Sequence, residues 1–363
     1  MKNTYLLFFL LICVSSFEAI AQSSRFNQLG SSPRTLALGK SNQSTYVQSL
    51  DVLANPALIA SQKTKYSSSY MHHNAFKGIT NANLLAFFIK PDSSKTHFGF
   101  SLNQLSNNGV FDTRDLATNS STYDFSKVSV LNSVDYGLKF ILGKSISNKI
   151  AIGVSANLDL LSVADFSNAR SVGADLGLQY KIDSSFCVGV MLENAFGKYY
   201  FWNQSSTMLQ KSYFATDNYL QINSVSVQLP SLYVGASKKA TYNAWFSNIF
   251  SVQANLNGNE ASYSIFAKDK LAFNFGFGYE ALLKNIVYVR AGWSDFQKIS
   301  YSKTSISSQL GIGIGLKINK IMIDYTMANI NKSLVSAQKQ LISIQYNFEK
   351  VNQHNSTVEP SRF

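Results

Sequence analysis

The sequence predicts an all-β fold: a transmembrane, antiparallel, up-and-down β-barrel of about fourteen strands. Three observations predict it. Apolar residues alternate with small or polar ones in many separate segments, the connections between those segments are alternately short and long, and the N-terminus has the form of an export signal.

The alternation is cleanest in residues 150–160. Even positions read Ile150, Ile152, Val154, Ala156, Leu158 and Leu160, and odd positions read Ala151, Gly153, Ser155, Asn157 and Asp159. Successive side chains of a strand point to opposite faces, so one face is greasy and the other small or polar. The same phase recurs in 172–181 and 310–319, and weaker versions occupy 65–73, 79–90, 96–105, 134–144, 186–196, 232–238, 252–257, 273–279, 287–293, 321–328 and 342–348. A soluble β-sandwich also alternates, but its polar face meets water and is rich in Lys and Glu. Here that face is mostly Gly, Ser, Asn, Asp and Gln, which suits a crowded lumen. Trp293, Tyr279, Tyr346 and Phe348 at strand ends resemble interfacial girdles.

Short connections fall at 91–94, 145–147, 183–185, 239–244, 283–285 and 319–320, and long ones between them at 106–129, 163–169, 197–227, 258–270, 295–305 and 329–337. Outer-membrane barrels have this asymmetry, with short turns on the periplasmic side and longer loops outside.

Lys2, an apolar core over residues 5–14, and Ala19-Ile20-Ala21 before Gln22 mark residues 1–21 as a signal peptide. Ile12 is a poor neighbour for lipidation of Cys13, so Cys187 remains as the sole thiol of the exported chain and no disulfide is expected. A closed ladder of inter-strand hydrogen bonds supplies stability instead. The net charge of +12 could suit nucleic acid, but an exported chain with scattered lysines fits anionic lipid headgroups of the outer membrane, or an acidic partner, better.

Residues 22–63 lack alternation. Arg34, Ala37-Leu38-Gly39 and Asn55-Pro56-Ala57-Leu58 read as short helical turns interrupted at Gly39 and Pro56. Gly99, Gly137, Gly153, Gly173, Gly177, Gly189, Gly235, Gly276, Gly278, Gly292, Gly311, Gly313 and Gly315 all fall on the lumenal phase of their strands. Glycine inside a strand marks a bend or the close approach of other backbone. The expected organisation is a plug over 22–63, a barrel over 64–348 and a tail over 349–363.

An arginine (Arg34), an Ala-Leu-Gly step, a polar stretch and then Asn55-Pro56-Ala57-Leu58 resemble the N-terminal signature of the PorV/PorQ group of Bacteroidetes outer-membrane proteins. That group is similar in turn to FadL-type channels. Tyr70 with Phe76-Lys77-Gly78-Ile79, Gly109-Val110-Phe111-Asp112-Thr113, Val289-Arg290-Ala291-Gly292-Trp293, Asp324-Tyr325 and Tyr346-Asn347-Phe348 extend the resemblance over nearly the whole mature chain. Lys40 departs from it, standing where a second glycine is common. The resemblance implies a barrel with an N-terminal plug and an accessory or shuttle role in the type IX secretion system, whose machinery and secreted cargo with C-terminal sorting domains are then the partners. The alternative is passive transport of a hydrophobic small molecule, with a ligand in the lumen.

No catalytic constellation emerges, so neither an enzyme nor a cofactor is expected. His72 and His73 are adjacent on an extended segment and point to opposite faces, which excludes a shared metal. Tyr199, Tyr200, Phe201, Trp202, Tyr213, Phe214 and Tyr219 in the connection 197–227 are candidates for partner contact, and folding back over the barrel mouth is the alternative. Arg34 or Arg290 could attract a carboxylate head group; Arg290 paired with the lumenal acid Asp175 is the plainer expectation. Arg34, Gly39, Asn55, Pro56 and Ala57 carry the plug architecture.

Overall fold

The computed structural model describes residues 32–91, 94–112, 117–119, 122–163, 167–204, 223–258, 266–268, 271–300, 304–331 and 337–348. The expected signal peptide (1–21), the expected tail (349–363) and Tyr213, Phe214 and Tyr219 lie outside the described residues. Fourteen antiparallel strands form the wall: β1 (Tyr66–Ala75), β2 (Thr80–Ile89), β3 (Thr96–Asp112), β4 (Ser129–Ser145), β5 (Ile150–Val163), β6 (Ser167–Lys181), β7 (Phe186–Glu193), β8 (Ser231–Asn243), β9 (Phe246–Asn257), β10 (Leu271–Leu283), β11 (Val287–Ser300), β12 (Thr304–Ile318), β13 (Ile321–Asn331) and β14 (Ala337–Asn347). Each wall strand pairs with its neighbours in order, and β1 closes on β14 from Ser67 opposite Asn347 to Ala75 opposite Lys339. Closure leaves no free edge at the seam, as a wall in lipid requires.

The alternation sets which face meets lipid. On β5 the even positions are exposed and the odd ones turned inward, and the outer surface of β12 is a column of Leu310, Ile312, Ile314, Leu316 and Ile318. Ile150 to Leu160 runs roughly 34 Å along the strand at ~3.4 Å per residue, which a tilt of about 40° reduces to roughly 26 Å, the height of an outer-membrane apolar band. At the short-connection end aromatic rings meet in pairs: Tyr66 with Phe87, Tyr242 with Phe246, Phe250 with Tyr279, and Tyr346 with Phe348. The turns at that end are locally encoded. In the turn after β6, Asp183 accepts from the Ser185 and Phe186 amides at 2.6 and 2.8 Å, and these bonds with the Ser185 hydroxyl hold its carboxyl below the usual carboxylate range.

Several connections expected to be long are partly strand. β11 continues to Ser300 and β12 starts at Thr304, so most of 295–305 belongs to the wall, and β5 and β6 extend into 163–169. The largest correction concerns 197–227. Lys198–Gln204 is a strand that takes over from β7 beside β6, with Tyr199 opposite Val172 and Gln204 opposite Ser167. Asn223–Gln228 pairs with it in turn and leads into β8. Alternation hid this strand because Tyr200 and Trp202, on its inner face, are aromatic like Tyr199 and Phe201 on its outer face.

Residues 32–62 lie inside the barrel. Ser32 caps the short helix α1 (Pro33–Ala37) by accepting from the Thr35 amide at 3.0 Å, and Pro33 sits at the first helical position, where a missing N–H costs nothing. Two 3₁₀ turns follow, Ser49–Leu53 and Pro56–Ser61. None of these elements has the length to be stable alone, and the wall supplies what holds them.

Candidate functional site in the barrel interior

The inner segment crosses the short-connection half of the lumen and meets the wall through glycines. Gly39 has φ +57°, which favours glycine, and a side chain there would meet the backbone nitrogen of Trp293 at 2.6 Å and the carbonyl of Phe277 at 2.7 Å. Cβ atoms placed on Gly292 or Gly311 would strike the backbone of Ala37–Gly39 or Leu36, and on Gly153 the Pro56–Ala57 peptide. These glycines are cross-strand neighbours: Gly143, Gly153 and Gly177 form one row, Gly189 and Gly235 a second, and Gly278, Gly292 and Gly311 a third. Bare strand backbone lets the segment's own backbone lie directly on the wall.

Asn55 shows how the segment is fixed locally. Its side chain accepts from the Ala57 amide at 3.0 Å, capping the turn that Pro56 begins, while its amide group donates to the carbonyls of Gln43 at 2.8 Å and Leu178 at 3.2 Å. One side chain therefore ties two parts of the segment to β6. Ala57 is fully buried against the backbone of β5 and β6.

Charge holds the opposite side. Arg34 is 1% exposed and makes a two-pronged contact with Glu280 on β10, Nε to Oε2 at 2.9 Å and Nη2 to Oε1 at 3.2 Å. Its Nη1 meets Asp51 at 3.0 Å, and Asp51 accepts from the Val47 and Gln48 amides, so one arginine staples α1 to the next turn and to the wall. Glu280 also receives Arg290 from β11 at 2.6 Å, and Arg290 reaches Asp324 on β13. Two guanidiniums face three carboxylates, all buried. Burying charge is tolerable only when each charge has an opposite partner in this way, and removing one member leaves its partners under-compensated.

Arg290 thus pairs with Glu280 and Asp324 and not with Asp175. Asp175 lies across the lumen, bound by Lys139 at 3.0 Å, the Ser155 hydroxyl at 2.7 Å, Asn157 at 2.9 Å and the Asn194 amide at 3.0 Å. The parity that places Asp175 inside also places Glu280 and Asp324 inside. Choosing among them requires the position of each strand around the ring, which alternation does not encode. Both Arg34 and Arg290 are engaged by carboxylates, so neither offers a free cation to a ligand head group.

Asp175 belongs to a second polar cluster, behind an interruption of the wall. β7 ends at Glu193; residues 194–197 turn outward through Asn194 (φ +50°) and Gly197 (φ +80°), exposing Phe196; and the next strand resumes at Lys198. The neighbouring strand is broken at the same height by Leu229-Pro230, between Gln228 and Ser231. Proline has no N–H to give a ladder. Lys198 pairs with Asp159, and the Tyr233 hydroxyl donates to Glu193 at 3.0 Å, facing the lumen behind the gap.

The other side of the interior is apolar. Leu36, Leu50, Val52, Leu53 and Ile59 of the inner segment pack with Met71, Leu84, Phe88, Ile141 and Leu341 of the wall, with Ala82 and Leu105 continuing the apolar lining toward the long connections. Of the described aromatic candidates for partner contact, Tyr200 is buried, with its hydroxyl on Gln228 at 3.1 Å, Trp202 is half-buried on Ser226 at 2.9 Å, and Tyr199 and Phe201 face outward.

Solved structures share this architecture. The chain is similar to the CymD monoaromatic hydrocarbon channel (13% identity, 90% of this chain and 100% of that one, TM-score 0.60), the toluene transporter TodX of Pseudomonas putida (13%, 91% and 100%, 0.62) and the toluene transporter TbuX of Ralstonia pickettii (13%, 89% and 100%, 0.55). No family model and no curated protein matches the chain. The fold is that of an outer-membrane-type barrel.

Proposed function

We propose that this protein is an outer-membrane channel for a hydrophobic small molecule, with residues 22–63 as its plug. The single observation that carries this reading is the fold shared over about nine-tenths of the chain with barrels described as toluene and monoaromatic hydrocarbon transporters. The apolar lumenal side, where Ala82 and Leu105 lie on the long-connection side of the packed core, supports it as a greasy approach for such a solute. The chain's role is passage and not catalysis. The test is uptake of radiolabelled toluene into proteoliposomes. Wild type should accelerate uptake over empty vesicles and Leu105→Asp, which puts a charge on the apolar approach, should abolish the gain; no acceleration by folded wild-type protein rejects the reading.

A second reading is an accessory role in type IX secretion, as the PorV/PorQ resemblance implies. Arg34, Gly39, Asn55, Pro56 and Ala57, which carry that resemblance, hold the inner segment against the wall and support a filled barrel that presents surfaces to partners. Affinity purification from native membranes distinguishes the two: co-purified secretion machinery or cargo with sorting domains supports it, and its absence alongside toluene uptake removes it. Deleting residues 199–219 should weaken such capture if that region contacts the partner.

A further inference from the structure

The outer surface beside the wall interruption carries an arginine, Arg170, with no acid among its described outward-facing neighbours. On β6 the lipid-facing column runs Tyr180, Leu178, Leu176, Ala174, Val172 and then Arg170, which is exposed. Strand register places Leu160, Arg170, Phe201 and Val225 in one cross-strand row. The row toward the short-connection end is Leu158, Val172, Tyr199 and Val227, apolar apart from one phenol. The row toward the long-connection end contains Ser162, Asn168 and Asn203. The boundary of the hydrocarbon therefore falls at the arginine itself. Among the described outward positions of these rows, Arg170 is the one charged side chain. Asn168, Arg170, Phe201, Asn203 and Val225, together with Trp202 and Ser224 of the same hairpin, line an open pocket of about 670 Å³.

We propose that this pocket docks a phosphorylated glycolipid of the outer leaflet. Each row fits one part of such a molecule. The guanidinium fork matches phosphate oxygens two at a time. Leu158, Val172 and Val227 lie along the path of its acyl chains. The carboxamides of Asn168 and Asn203, one row further out, offer donors and acceptors to sugar hydroxyls, which a simple phospholipid lacks. Long connections mark the outer side of bacterial barrels, which places the pocket in the leaflet where phosphorylated glycolipids reside. The site depends on neither transport nor secretion.

The test is native mass spectrometry of the full-length barrel in detergent with three added lipids: monophosphoryl lipid A, the same lipid without its phosphate, and phosphatidylglycerol. Wild type should retain the phosphorylated glycolipid at least tenfold better than either of the others, with the difference lost in Arg170→Ala and partly kept in Arg170→Lys. Asn168→Ala combined with Asn203→Ala should bring lipid A down toward phosphatidylglycerol while leaving phosphate dependence intact. Heat-modifiable electrophoresis confirms that each variant is folded, and the wild-type comparison stands even if Arg170→Ala is not. Equal retention of phosphorylated and dephosphorylated lipid A, equal retention of phosphatidylglycerol, or an unchanged folded Arg170→Ala variant overturns the proposal.

Discussion

The inner segment is held on its two sides by different physics. Against β1, β2, β4 and β14 it buries Leu50, Val52, Leu53 and Ile59 in a hydrocarbon core, whereas it offers bare backbone to the glycine rows of β4 to β8 and β10 to β12, and one arginine to the carboxylate network of β10 to β13. The apolar side is non-directional, and neighbouring side chains can adjust around a change of volume. The glycine and ion-paired side has no such slack, because the wall atoms it touches are backbone and each charge depends on the others. The first side supplies adhesion, the second position.

That contrast orders the expected effects of substitution. Gly292→Val should be the most severe, since its Cβ strikes the backbone of Leu38–Gly39 and neither chain can yield without leaving the barrel wall. The expected outcome is an ejected inner segment, seen as new protease cleavage within residues 33–62, or loss of the folded form on unboiled electrophoresis. Next is Arg34→Ala, which leaves Asp51 buried without its cation and Glu280 with Arg290 alone, and should cost about 3–5 kcal/mol in denaturant unfolding. Replacing the network members together by apolar residues of similar volume should recover much of that loss, and a failure to recover would mean that Arg34 acts by shape instead of charge.

On the apolar side, Leu50→Ala should cost about 2–5 kcal/mol in the same unfolding assay but leave the segment resistant to protease, because the ionic staple still fixes its place. If Leu50→Ala releases the segment as readily as Arg34→Ala, the division into adhesion and position fails. Smallest is Lys40→Ala. Its pair with Asp295 is partly exposed, each side chain being 28% accessible, so less than about 1 kcal/mol is expected and thermal melting should barely move.

Much of this was legible in residue order. Parity told which face of each strand meets lipid, and the same parity put the glycine rows and the buried acids inside. Ser32-Pro33 and Asn55-Pro56 carry their own turn chemistry. Less legible was the strand Lys198–Gln204, where aromatic side chains on both faces erased the period-two signal, and the partner of Arg290, for which Asp175 was as eligible as Asp324 until the ring closed.

The division has a physical basis. Alternation, turn residues and capping residues act over a few positions, so the sequence by itself determined a barrel, its lipid-facing surface and the short turns that join its strands. Contacts around a closed ring depend on where every strand lies relative to every other. Only the tertiary structure therefore decided that Arg34 meets Glu280, 246 residues away, that three separate rows of glycine make a track for one segment, and that Arg170 stands in one cross-strand row with Leu160, Phe201 and Val225 at the edge of the apolar band.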